Sequence, residues 1–318
     1  MILDEMLANG ELIIHDGAVG AEIERLGGNL SSTAWCGVAN QTHPDAVREV
    51  HVQYLRAGTN IITTNTFATA RHVLNSAGLG DESAAITAAG VQLAREAIEE
   101  VAPDRPVAIA GSMSNHVAWL PGSFSPDPRY APTPDAELAN YKEQACALSE
   151  AGADFLLLEM MSDLHHAARA AEAAASTGLP IWIGISCSVQ PNGDVSAWDM
   201  HVEEPPENLH PDHKPSTGYL HIARVIETML SFEPQVVGIM HSGAVSIEPG
   251  LDEVRRQWPG PLLAYPEATN HHALSPQQFA EHCRDWVDNG VQVIGGCCGT
   301  TIHHIRAMIE AMPERANA

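Results

Sequence analysis

The chain has 318 residues, 45% of them apolar, with 16 basic and 40 acidic side chains and a formal charge of −24. That length suits a single α/β barrel, which takes roughly 250 residues, and the apolar share is enough for a large core. So acidic a surface repels polyanions, which excludes nucleic acid and anionic membranes as expected partners and mildly favours cationic ligands. The acidic excess also has a plain reading as an adaptation of the host cell.

The opening "MILDEMLANGELIIHDG" lacks the basic start and long apolar centre of an export signal. No run of about 18 apolar residues offers a membrane span. A cytoplasmic protein is expected. Its cysteines, Cys36, Cys146, Cys187, Cys283, Cys297 and Cys298, show no regular framework. They are expected as thiols or metal ligands in a reducing compartment.

Eight apolar, β-rich runs cover 11–17, 59–67, 106–114, 154–161, 180–188, 235–243, 261–268 and 291–299. Continuous apolar runs fit strands covered on both faces. Helix-compatible segments follow at 45–57, 82–101, 135–151, 164–177, 219–231, 248–257, 275–289 and 301–312. Thr133-Pro134-Asp135, Ser162-Asp163 and Ser275-Pro276 read as helix starts, and glycines in "AGT", "AGA" and "TGLP" as helix ends. The alternation predicts an α/β fold: a single parallel (β/α)8 TIM barrel, one domain over 1–318. An open doubly wound sheet is the alternative, but its G-x-G-x-x-G fingerprint is missing. The segment 190–218 after the fifth strand is polar, proline-rich and aperiodic, as a lid or a disordered loop is. Its Trp198 is placed to close over a ligand. Its His201, His210 and His213 read as solvated residues rather than a second metal site. The pairs His165-His166, His271-His272 and His303-His304 read as surface or loop-end residues.

Barrel active sites collect at the C-terminal ends of the strands. There the sequence places Asp16-Gly17, Thr64-Asn65-Thr66, Ser112 to Asn115, Glu159, Ser186-Cys187, His241-Ser242, Tyr265 to Glu267 and Cys297-Cys298. The neighbouring thiols of "VIGGCCGTT" (293–301) would point to opposite faces of a regular strand. They reach one metal only through a sharp turn, which Gly295, Gly296 and Gly299 permit by tolerating φ > 0. Zinc takes Cys and His in a tetrahedron and keeps a position open in catalytic sites. A strained vicinal disulfide is the rival reading.

The stretches "HDGAVGAEIERLG", "HVQYLRAGTNIITTNTF", "AGSMS", "GADFLLLEMMSDLHHA", "VVGIMHSG", "LAYPEA" and "VIGGCCGTTIHHIRAM" resemble, in order, those of the homocysteine S-methyltransferase family. The resemblance implies a (β/α)8 barrel with a zinc ion that binds the acceptor's thiolate. The family's third zinc ligand is a cysteine in G-[IV]-N-C at the end of strand six. This chain reads "GIMHS", Gly238 to Ser242, with His241 at the ligand position and Met240 at the asparagine. His241, Cys297 and Cys298 are therefore the expected Zn2+ ligands. Cys187 in place of His241, or loss of zinc, are the alternatives. Replacing a thiolate by imidazole makes the centre less negative, so a bound thiol is expected to be more acidic and a poorer nucleophile. "YPEAT" also departs from the family's YPN-x-G, with Glu267 at the asparagine.

By the same resemblance, Asp16, Gly17 and Glu159 lie beside the amino-acid part of the acceptor, with Asp16 and Glu159 as the catalytic carboxylates. Thr64 and Asn65 form a wall of the site, unless they only hydrogen-bond their own loop. A cationic methyl donor calls for aromatic faces, and Trp119 and Tyr265, with Trp35, are the candidates. The expected partners are a small-molecule thiol acceptor and a free cationic donor, with a homo-oligomer left open. The expected reaction moves methyl from a small sulfonium or betaine donor (S-methylmethionine, S-adenosylmethionine or a betaine) to homocysteine, giving methionine. Transfer to another thiol or selenol, demethylation, or a non-catalytic zinc-binding relative are the alternatives.

Overall fold

The computed structural model describes residues 1–28, 33–120, 126–197, 220–269 and 273–312. Eight parallel strands form one sheet: β1 (Ile13–Ile14), β2 (Ile61–Thr63), β3 (Ala108–Ser114), β4 (Phe155–Met161), β5 (Ile181–Ile185), β8 (Val236–Met240), β9 (Leu262–Tyr265) and β10 (Val293–Ile294). A separate antiparallel hairpin, β6 (Cys187–Val189) with β7 (Val195–Ala197), follows β5. The sheet order is β1-β10-β9-β8-β5-β4-β3-β2, so the first and last strands of the ladder are β1 and β2. Asn60 joins them. Its backbone N–H donates to Ile14 O at 2.7 Å, and its Oδ1 accepts from Ile14 N–H at 3.0 Å. The result is the expected barrel with helices outside.

Both faces of each barrel strand are buried, which explains the unbroken apolar runs. Ile13, Ile61, Ala108, Phe155, Leu157, Trp182, Val236, Leu263 and Val293 fill the interior. Their neighbours Ile14, Ile62, Ile109, Leu156, Ile183, Val237 and Ile294 pack outward against the helices. Phe155 and Trp182 pack together in this interior with ring centroids 4.2 Å apart and planes tilted by 31°. A helix absent from the sequence reading, Asp4–Asn9, presses Leu3 and Leu7 into this interior cluster. Gln292 pins that segment by donating to the carbonyls of Met6, Leu7 and Glu11.

Three local readings change. The Ser162-Asp163 helix begins only at His166, but Asp163 Oδ1 accepts from the N–H groups of His165 and His166 at 2.7 and 2.6 Å. The helix expected at 248–257 runs from Ala244 to Arg255 with Pro249 inside it. Proline there leaves the carbonyl of Val245 without a helical donor, at a residue that is 74% exposed. The first part of the expected 190–218 loop belongs to the β6–β7 hairpin, turned at Gly193 with φ +88°. Trp198, His201, His210, His213 and the His271-His272 pair lie outside the described residues. By contrast, Ser275 forms a full capping box with Gln278 ahead of the helix Pro276–Asp288, as its sequence indicates. Among the described residues, no helix is long and apolar enough to cross a membrane.

Candidate metal centre and cavity

The C-terminal mouth of the barrel holds a cavity of about 270 Å³. Cys297 and Cys298 reach it because β10 ends at Ile294 and the chain then turns. Cys297 N–H donates to Pro266 O at 2.9 Å, and Ala268 N–H donates to Cys298 O at 2.7 Å. Thr300 N–H closes a four-residue turn on Cys297 O at 3.1 Å. Gly299, third in that turn, has φ +76°, the left-handed value such a turn demands. Gly295 and Gly296 serve differently from expectation, since neither has a positive φ. A Cβ on Gly295 would sit 2.6 Å from His15 Cβ, and one on Gly296 would collide with Thr300. They are glycines because β1 and the turn crowd against them.

His241 follows β8 with φ +43°, a strained value for a side chain bearing a Cβ. That turn brings its Nδ1 to 3.6 Å from Cys297 Sγ. The two sulfurs stand 3.9 Å apart. All three donor atoms lie within 4.8 Å of one another, the arrangement that can hold a metal ion. The bond from Cys297 holds the Cys298 thiol well below the usual range, with further help from His241, while the same pairing and burial push Cys297 up. Burial opposes charge on His241, but the Cys298 thiolate and the Glu267 carboxylate outweigh it and raise its pKa to about 9. Cys187 does not join them. Its buried thiol faces Ser246 O at 3.6 Å under the helix Ala244–Arg255, and burial pushes it up to about 12.

Glu159 lines the cavity through a bulge. β4 and β5 pair at Leu158↔Ile183 and next at Met161↔Ile185, so one extra residue is inserted on β4. Met160 absorbs it at φ +58°. The Glu159 carboxylate accepts from Ser112 Oγ and, at 3.4 Å, from Tyr265 OH. Burial raises its pKa to about 7. Gly17 and Tyr265 also line the cavity.

Asp16 is placed differently from expectation. It is fully buried and does not line the cavity. Its Oδ2 accepts from Thr63 N–H at 2.7 Å and its Oδ1 from Thr63 Oγ1 at 2.8 Å. Burial raises its pKa to about 7. Strand alternation explains this: with Ile13 pointing inward, residue 15 points inward and residue 16 outward. His15 therefore occupies the mouth, its ring 4.8 Å from that of Tyr265. That parity was readable from "ELIIHDG", and it singles out His15.

Thr64 and Asn65 line the cavity, yet their polar atoms hold the scaffold. Thr64 Oγ1 bonds Ala110 O and Thr66 Oγ1, and Asn65 Nδ2 donates to Cys36 O and Asn40 Oδ1, both at 2.9 Å. Trp119 stands off the cavity, edge-on to His116 at 4.9 Å. Trp35 and Phe67 take the wall instead, at 5.6 Å and an interplanar angle of 80°. Among the described residues, no lysine or arginine lines the cavity, whereas Glu24 and Glu159 do.

The family model for homocysteine S-methyltransferases matches residues 13–312. The homocysteine S-methyltransferase of Escherichia coli (strain K12) is 27% identical over 96% of this chain and 97% of its own length. Betaine–homocysteine S-methyltransferase 1 of Bos taurus is 27% identical over 98% of this chain and 75% of its own length. In the fold, the crystal structure of the homocysteine methyltransferase MmuM from Escherichia coli, metallated form, matches with a TM-score of 0.75 at 24% identity, over 97% of this chain and 99% of that one. The match to the family model runs from β1 to the last described residue, and so the chain belongs to the homocysteine S-methyltransferase family and is a methyltransferase.

Proposed function

We propose that the chain is a zinc-dependent S-methyltransferase that moves methyl from a small sulfonium donor to homocysteine, giving methionine. The observation that carries this is the donor triangle of His241, Cys297 and Cys298 at the cavity wall. Zinc bonds of about 2.0–2.1 Å to nitrogen and about 2.3 Å to sulfur, at tetrahedral angles, set an N···S edge of about 3.6 Å and an S···S edge of about 3.8 Å. The two edges at Cys297 are 3.6 and 3.9 Å, close to those values, and the third lies within 4.8 Å, so the donor set suits that ion. Bound there, zinc supplies the Lewis acidity that keeps a coordinating thiol as its anion near neutral pH.

The other groups bind and orient. Glu159, held by Ser112 and Tyr265, offers a carboxylate to the ammonium group of the acceptor. Asp16 acts from behind, fixing Thr63 and the loop before Gly17. Trp35 and Phe67 form a corner of two aromatic faces suited to a sulfonium or quaternary ammonium methyl. A lining with carboxylates and no lysine or arginine among the described residues favours a donor of net positive charge, such as S-methylmethionine, over the neutral zwitterion glycine betaine. The role of the cavity is to bring the two reactants to reacting distance.

The test is product analysis by mass spectrometry. Homocysteine is supplied with S-methylmethionine, S-adenosylmethionine, glycine betaine or dimethylsulfoniopropionate in turn. Methionine is expected, fastest with S-methylmethionine. Zinc-loaded protein that makes methionine from none of them defeats the assignment. Met240 and Glu267, both departures from the family pattern near the acceptor, support a second reading in which another thiol or a selenol is the acceptor. A panel of such acceptors in the same assay separates the two.

A further inference from the structure

The imidazole of His241 and the carboxylate of Glu267 meet in space beside the paired thiols. Glu267 Oε2 lies 4.0 Å from His241 Nδ1, the same ring nitrogen that faces Cys297 Sγ. Both side chains are largely withdrawn from water, at 18% and 12% exposure. The carboxylate is oriented rather than loose: Thr269 Oγ1 donates to Oε2 at 3.2 Å. The backbones are tied as well, by Glu267 N–H donating to Ser242 O at 3.1 Å and His241 N–H to Tyr265 O at 3.2 Å.

We infer that Glu267 is a positioning residue that returns to the metal centre the negative charge His241 does not bring. A neutral imidazole brings one negative charge fewer to the ligand set than a thiolate would, and the Glu267 carboxylate beside it supplies one. At this separation, in a partly desolvated site, the carboxylate acts on the ion with little screening. The centre then has the net charge of a three-thiolate site, and a thiol bound there keeps the nucleophilicity that the histidine alone would diminish. The inference rests on the metal reading of the site given above.

The test is a double-mutant cycle on zinc affinity, measured by competition with a chromophoric chelator in the full chain. In the wild-type background Glu267→Gln weakens zinc binding at least about tenfold, and Glu267→Asp weakens it by less. In the His241→Cys background, where the third thiolate is restored, Glu267→Gln changes affinity less than about twofold. A merely structural role for Glu267 would give the same loss in both backgrounds. Cobalt(II) spectra of wild type and Glu267→Gln supply a second readout that needs no His241 variant: the inference expects the ligand-field bands to shift, and unchanged bands oppose it. Equal losses in both backgrounds, or unaltered zinc affinity with a raised KM for the acceptor, overturn it. Wild-type protein that holds no zinc defeats the metal reading and this inference with it. Zinc-binding wild type with equal losses defeats this inference alone.

Discussion

Asp16 grips Thr63 with both carboxylate oxygens, one on the backbone N–H at 2.7 Å and one on the hydroxyl at 2.8 Å. The grip crosses the seam between β1 and β2, where no strand ladder runs. Asp16→Asn turns one acceptor into a donor aimed at a donor, so a buried bond is lost and a polar group stranded. Stability should fall by about 1–3 kcal/mol. Urea unfolding of the acceptor-free protein measures it, and Thr63→Val should overlap with it rather than add. Unchanged stability with lost acceptor binding would return Asp16 to the substrate.

Removal of the metal gives a second prediction. An ion bound by the folded state alone stabilises it by about 2.7 kcal/mol at a hundredfold excess over Kd. Wild-type protein should carry about one zinc per chain, and its melting temperature should fall on chelation. Cys298→Ser should hold far less metal and show no chelator-dependent shift. Elemental analysis with thermal unfolding checks both. His241→Cys should retain metal, since thiolate is an equally good zinc ligand.

Gly299 sets the geometry of both thiols. An alanine there meets positive φ and the carbonyl of Ala268 together. Gly299→Ala should cost at least about 1–3 kcal/mol and lower zinc affinity, although it touches no ligand atom. Stability loss with unaltered zinc affinity would show that the thiols hold their places without the turn.

The eight strands were legible because each is apolar on both faces, so Ile13 and Ile14 or Leu156 and Leu157 read as one run although they face opposite sides. The paired thiols and His241 were legible because they end such runs. What stayed hidden depends on backbone that departs from the regular period. The bulge at Glu159–Met160 and the left-handed turn at His241 have no side-chain pattern of their own. The N-terminal helix is short, and only Leu3 and Leu7 mark its buried face. Trp35 opens a one-turn 3-10 helix, Trp35–Val38, and Trp119 lies outside any helix or strand, and neither segment is long enough for a periodicity that says which one turns to the cavity.

That last ambiguity is open to measurement. Trp35→Ala removes a face of the donor corner and should raise the donor's KM about five- to thirtyfold, from a cation–π contribution of about 1–2 kcal/mol. Trp119→Ala, off the cavity, should leave KM within about twofold and act on stability instead. Steady-state kinetics at saturating acceptor distinguishes them, and the reverse order would move the donor to the Trp119 side.

His51 predicts how the fold responds to acid. It is fully buried on the helix Pro44–Ala57, and among the described residues neither ring nitrogen has a hydrogen-bond partner. Burial alone holds its pKa at about 3, against about 6.5 in the unfolded chain. The folded value is the lower one, so below about pH 6.5 the unfolded state takes up a proton that the folded state refuses. Stability from this group is complete above about pH 6.5 and drains as pH falls toward 3, at about 1.4 kcal/mol per pH unit. His51→Leu removes the titration and an unsatisfied donor together. At pH 7.5 the variant should be no less stable than wild type, and by pH 5 it should gain a further advantage of about 2 kcal/mol. Denaturant unfolding at pH 7.5, 6 and 5 gives the difference directly, free of contributions that Asp16, Glu159 and His15 make to both proteins. Parallel curves over that range would mean that His51 is either solvated or already charged in the fold.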